Sequence, residues 1–179
     1  MTEFITDEQF DHLFGDGFQH TAWRLESRAT YGSDRDGEGF RRWARGEDPL
    51  TDPARPWCQN IRAQVEAGKR IERVRIADDP ISAGQAYLLA VGWANVAAGE
   101  DIRHLPRRLA ADLGVPLRDF WLFDSRILLE MHFDQADNYL GAELIEDVAE
   151  VARACQIRDA AWHYAVPRDE FAKTVPSAA

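Results

Sequence analysis

Lysine is nearly missing from this chain. Of its 21 basic residues only Lys69 and Lys173 are lysine, and the other 19 are arginine. Gly68-Lys69-Arg70 lacks both the upstream glycine and the downstream hydroxyl of a G-x-x-x-x-G-K-[ST] loop. Gly37-Glu38-Gly39 lies in a polar stretch and not after a strand, so a G-x-G-x-x-G dinucleotide site is disfavoured too. Cysteine is scarce as well. Cys58 and Cys155 stand far apart with no C-x-x-C, and both read as small buried apolar residues of a reducing cytosol. No run approaches the ~18 apolar residues of a membrane span. Met1-Thr2-Glu3 opens an acidic segment and not a signal peptide, so a cytoplasmic protein without membrane contact is expected.

Positive charge is in short supply overall. With 31 Asp and Glu against 21 Lys and Arg the formal net charge is −10, a poor prior for direct nucleic-acid binding. Metal chemistry has no frame either: His132, Asp134 and Asp137 cluster, but no second histidine follows at a helical spacing and no EF-hand loop is present. Ser125 lacks a G-x-S-x-G elbow, which disfavours acyl transfer. No cofactor and no catalytic residue is assigned from motifs.

What is present is enough for a core. The 179 residues are 45% hydrophobic and include six Trp and nine Phe, which suits one domain. Thr6-Asp7-Glu8-Gln9 is a capping box, because the Thr and Gln side chains can each satisfy the other's exposed N–H. A helix with Phe10, Leu13 and Phe14 on one face follows, stopped by Gly15 and Gly17. Residues 18–25 alternate as a strand, 32–39 are loop by composition, and 40–44 make a short helix. Pro49, Pro53 and Pro56 form a stiff connector to a helix carrying Trp57, Ile61 and Val65. Residues 70–77 read as a β-branched strand and 83–98 as a helix with Leu89, Trp93 and Ala97 inward. Residues 101–117 show no clear pattern. The apolar runs 119–124 and 127–133 read as a central hairpin. Helices are expected over 142–154, with Leu144, Val148, Val151 and Cys155 buried, and over about 158–166. Trp57, Trp93, Trp121 and Trp162 are all expected to face inward. The fold class is α/β (or α+β): one domain over 1–170 with a mixed sheet of five or six strands, helices packed on it, acidic C-terminal helices, and a flexible tail over 171–179.

Arg73 and Arg75 share one face of their strand, since a spacing of two returns a side chain to the same side. Two adjacent guanidiniums need an anion between them. Either they form an anion site completed by Arg103 or His104, or they pair with Glu26, Glu100 or Asp101. Asp119 and Asp124 bracket the aromatic strand at an odd offset and so face opposite ways, and Asp124-Ser125-Arg126 reads as a turn in which the Asp bonds the N–H groups ahead of it.

Several of these pieces, in order along nearly the whole chain, resemble the bacterial family catalogued as domain of unknown function 6879. They are Phe10-x-x-Leu13-Phe14, Trp23-Arg24-Leu25-Glu26 with Tyr31, Arg73-Val74-Arg75-Ile76 with Pro80, Ala98 through Arg103, Asp119 through Asp124, and Ala160-Ala161-Trp162. The resemblance carries no activity with it. Its members are often encoded near helix-turn-helix regulators, which implies an accessory role by association. A weaker, fold-level likeness is to phospholipase-D-like sensor domains. The catalytic form of that fold uses H-x-K-x(4)-D, and neither lysine here has a histidine two residues before it.

Three functional readings follow. The first is a regulatory module that binds a small anionic ligand or a partner protein. Arg24, Arg73, Arg75 and Arg103 line its pocket, Glu26, Tyr31, Glu100 and Asp119 orient them, and Asp124 is grouped with the same site. The second is a hydrolase or transferase on a phosphorylated substrate, using Glu26, Asp119 or His104 as acid or base. The third is an adaptor, a homodimer or a partner of a helix-turn-helix regulator, docking through the acidic 134–150 stretch.

Overall fold

A computed structural model describes residues 3–176. The capping box forms as expected: the Thr6 hydroxyl accepts from Gln9 N and the Gln9 side chain accepts from Thr6 N, opening helix α1 (Asp7–Phe14). Strand β1 (Thr21–Glu26) follows, then a one-turn helix α2 (Gly32–Arg35) and α3 (Glu38–Ala44). The polar stretch over 32–39 is therefore not a loop throughout. Helix α4 (Pro56–Glu66) has proline in its first turn, where a missing N–H costs nothing. Strand β2 (Arg70–Ala77) lies beside β1 in parallel.

The helix expected over 83–98 is two helices, α5 (Ala83–Val91) and α6 (Trp93–Ala98), broken at Gly92. Guanidiniums are bonded to the last carbonyls before the break, Arg75 to Leu88 O at 3.1 Å and Arg168 to Leu89 O at 2.6 Å. Leu89, Val91, Ala94 and Ala98 face inward, whereas Trp93 is 44% exposed, contrary to the single-helix pattern. Gly99 ends α6 at φ 111°, a conformation a side chain would strain, and a Cβ there would press on Val65.

The unpatterned 101–117 stretch holds strand β3 (Asp101–Pro106), parallel to β2, and helix α7 (Arg107–Asp112). Strands β4 (Asp119–Phe123) and β5 (Ile127–Phe133) form the expected hairpin. The main error lies beyond it. Residues 139–145 form strand β6 (Tyr139–Ile145), antiparallel to β5, and not the start of a helix. Asp147 then accepts from Ala149 N and Glu150 N and caps one long helix, α8 (Val148–Tyr164), which merges the two shorter helices expected. Leu144 and Val148 are exposed as a result, while Val151 is buried. The acidic 134–150 stretch is thus mainly turn and edge strand. Past residue 165, strand β7 (Val166–Pro167) and helix α9 (Arg168–Ala172) pack on β3, and Phe171, placed in the tail by sequence, stacks on His104 at 4.6 Å.

The sheet has seven strands, β6-β5-β4-β1-β2-β3-β7, with the parallel trio β1, β2, β3 flanked by antiparallel partners. The class is the mixed α/β single domain read from sequence. The strands not read from sequence are β3, β6 and β7. One face packs Trp23, Leu25, Val74, Ile76, Phe120 and Leu122 against α7 and α8. The other packs Ala22, Ile71, Trp121, Phe123 and Leu129 against α1, α4 and α6. Toward the carboxyl ends of the parallel strands this second face changes from apolar to charged.

Candidate functional site

The pairing register creates the charged patch. Arg24 lies opposite Arg73 and Glu26 opposite Arg75, so alternation puts all four side chains on one face of the sheet. Glu26 is the hub. Its carboxylate meets Arg75 Nε at 2.6 Å, pairs with Arg73 Nη1, and lies 3.4 Å from Arg24 Nε without the alignment of a hydrogen bond. Arg73 Nε also donates to Glu100 at 2.6 Å, and Asn95 Nδ2 donates to the other Glu100 oxygen at 2.6 Å. Asp119 accepts from Ser27 N at 2.9 Å, Ser27 Oγ at 2.8 Å and Tyr31 OH at 2.5 Å, with Arg24 Nη2 at 3.4 Å. Arg24 and Arg73 both approach the Trp121 ring, at 5.5 and 5.3 Å. All of these charges are buried. Three guanidiniums are therefore matched by three carboxylates, in the only arrangement that makes burying them tolerable.

Of the nine residues assigned to one pocket by sequence, seven converge: Arg24, Glu26, Tyr31, Arg73, Arg75, Glu100 and Asp119. Two do not. Arg103 alternates to the other face, where it lies over Trp162 at 3.8 Å and pairs with Asp101. Asp124 sits at the opposite end of the sheet. It adopts φ 50° and accepts from the backbone N–H groups of Gln19, His20 and Thr21, not from those ahead of it in its own turn. Of the two readings of Arg73 and Arg75, the geometry gives the paired one: Arg73 pairs with Glu26 and Glu100, and Arg75 with Glu26.

The electrostatics follow from the packing. Burial pushes the Glu26 carboxyl up, but Arg73, Arg75 and Arg24 outweigh it and hold the group far below the usual carboxylate range. Burial, then Glu26 and Asp119, push the Tyr31 phenol well above 10.0. His104, beside Arg75 on the same face, is pushed from 6.5 down to about 3 by burial and by Arg75 and Arg168, with Glu26 opposing. Its Nδ1 has no partner among the described residues. A carboxylate bound by three arginines does not exchange protons near neutrality, so Glu26 does not suit the acid or base role considered for it. Asp119 is held by four donors.

Above this patch opens a cleft of about 500 Å³. Glu26, Arg73, Arg75 and Asn95 form its floor, and Asp34, Thr51, Arg55, Trp57 and Tyr87 stand in its walls. Arg55 is the one arginine of the cleft with no carboxylate partner among the described residues; it donates to Asn95 Oδ1, whose amide thereby links it to Glu100. Asp34 is the one acid of the cleft whose carboxyl meets no protein donor among the described residues, and burial, then Glu26, push it upward. The Thr51 hydroxyl is buried without a partner there as well. None of these three was singled out from sequence. The available signal for Arg55 was its place just before Pro56, at a helix start.

A family model matches residues 8–173. The chain belongs to the family described as "Domain of unknown function (DUF6879)". No curated protein matches it at the sequence level. Among solved structures, this DUF6879 member is similar to NucT from Helicobacter pylori, with 11% identity, a TM-score of 0.52, and coverage of 93% of this chain and 97% of that one. It is also similar to a phospholipase D family member, Nuc from Salmonella typhimurium, with 10% identity, a TM-score of 0.49, and coverage of 85% and 84%. The NucT likeness shows a shared fold. The H-x-K-x(4)-D motif does not occur in the sequence: Ala67 and Phe171 stand two residues before Lys69 and Lys173. Lys69 is bonded to Gly15 O at 3.0 Å, at the opposite end of β2 from the charged patch. Among the described residues no helix is long and apolar enough to cross a membrane.

Proposed function

We propose that this chain is a binding module for a small anionic ligand, held in the cleft by Arg55 above the Arg73 and Arg75 floor. The observation that carries the reading is Arg55, a half-buried cation facing a cleft with no carboxylate of its own. Two features support it. The first turn of α4 has no acidic residue and no side-chain cap, and Arg55 and Trp57 of that turn line the cleft, so the positive end of the helix adds to the same site. The buried ion network holds the floor rigid while leaving it no net charge to repel or attract strongly. Binding fits better than proton-transfer catalysis, because Glu26 and Asp119 are committed to their donors. A ligand-responsive accessory role in the cytoplasm belongs to this reading, and the free thiols of Cys58 and Cys155 accord with it.

Thermal melts of the purified protein against orthophosphate, carboxylic acids, nucleotides and phosphorylated metabolites test it. At least one anion should raise the melting temperature, and Arg55→Gln, measured against its own unliganded melt, should lose that rise. If every anion leaves the wild-type melt unchanged, the reading fails.

A further inference from the structure

The cleft presents an acid without a donor as well as a cation without a carboxylate. Asp34 projects from the first turn of α2, and Arg55 stands at the start of α4. Both line the same cleft, yet they form no ion pair with each other. The Arg55 charge still reaches Asp34, and both charges reach the Tyr87 hydroxyl. A simple anion bound to Arg55 would therefore sit within range of the Asp34 carboxylate and be repelled by it. A ligand with an ammonium beside its anionic group removes that repulsion and supplies the missing partner. Pro49, Leu50, Trp57, Leu88 and Val91 give the cleft an apolar lining for the remainder of such a molecule.

We propose that the occupant is a zwitterion of the amino-acid class, its carboxylate on Arg55, its ammonium on Asp34, and an apolar side chain against Trp57 and Leu88. This rests on the anion-binding reading above and narrows it. The arrangement gives Arg55 a carboxylate and Asp34 a donor, which neither has among the described residues. It also explains why the uncompensated groups come as an opposed pair over a floor that is already neutral.

The test is a melt and calorimetric titration of the full chain with each of the twenty protein amino acids. The best binder is then compared with its deaminated acid and its decarboxylated amine. The zwitterion should bind at least tenfold more tightly than either single-charge analogue. Asp34→Asn should abolish the preference over the deaminated acid, and Arg55→Gln the preference over the amine. Wild-type binding should also strengthen as the pH rises through the Asp34 titration, with Glu26, Arg55, Arg73, Arg75 and Tyr87 as the other ionisable groups facing it. Equal binding of zwitterion and deaminated acid overturns the inference, as does strengthening at low pH, which would mean that a protonated Asp34 donates to a plain anion. If no amino acid binds but orthophosphate or a phosphorylated sugar does so through Arg55, the zwitterion is wrong and the anion reading stands. If nothing binds, both fall.

Discussion

Glu26 carries more of this molecule than any other single side chain. It stands between three guanidiniums, and removing its charge would leave Arg24, Arg73 and Arg75 facing only Glu100 and Asp119 in a buried setting. Glu26→Gln is expected to cost about 3–5 kcal/mol in urea unfolding, the typical cost of breaking one side of a buried pair. Its pH window follows from the direction of the shift. The folded carboxyl titrates far below its ordinary 4.5, so the stabilisation is present above that value and drains away as the pH falls below it. His104 acts in a higher window. Between 6.5 and about 3 the unfolded chain binds a proton at this residue that the folded chain refuses. Stability therefore falls with falling pH there, by about 1.4 kcal/mol per unit where the difference is one full proton. His104→Phe, which keeps a ring against Phe171, should flatten urea-derived stability between pH 6 and pH 4.5 (approximate limits set by those titrations). An unchanged slope would show that the proton is taken up elsewhere.

At the scale of elements, local chemistry was a good guide at several caps and tight patterns, though not at the Asp147 cap of α8. The α1 capping box, the proline start of α4 and the β4–β5 hairpin all stand where their residues point. The stretch from 139 to 164 was misread because Leu140, Ala142 and Leu144 alternate with period two while Leu144, Val148, Val151 and Cys155 repeat at helical spacing. Leu144 satisfies both patterns, so periodicity alone does not choose between them. Hydrogen bonds to β5 choose the strand, and Asp147 marks where the helix starts. Asp147→Ala should then cost about 1 kcal/mol, measured by urea unfolding, from the lost cap of α8. An effect confined to ~0.2 kcal/mol would mean that α8 is held by packing alone. β3 was invisible for another reason. Arg103 and His104 look like surface residues, and only the parallel register beside β2 buries His104 against Arg75 and Phe171.

The whole molecule sets the conditions at its own sheet edge. β7 and α9 return to cover β3, and the Phe171 ring lies parallel to His104 within 2°. Phe171→Ala should admit water to this face and raise the His104 titration from about 3 toward 6.5, followed by the imidazole proton shifts in NMR. If the titration stays where it is, Arg75 and Arg168 hold it down without help from the Phe171 ring. The site was legible in part at this scale. Arg73 and Arg75 were visible from their spacing, and Glu26 and Glu100 as candidate partners. Asp34 and Arg55 were not, because each is an ordinary polar residue of a connector until the fold sets them across one cleft.

Composition and local pattern determined the class: an acidic, arginine-biased α/β domain, rich in aromatics and without a lysine-dependent phosphate motif. They also determined the starts of α1, α4 and α5, because caps and prolines act on their own neighbours through short-range hydrogen bonds. Only the tertiary structure decided which charges meet. The β1–β2 register is set by burial of Trp23, Leu25, Val74 and Ile76 on the opposite face, and it places Arg24 beside Arg73 as a consequence. Three carboxylates from separate parts of the chain then have to join them, since charges cannot be buried alone. Among the described residues, Arg55 in the cleft is left without a carboxylate and Asp34 without a donor.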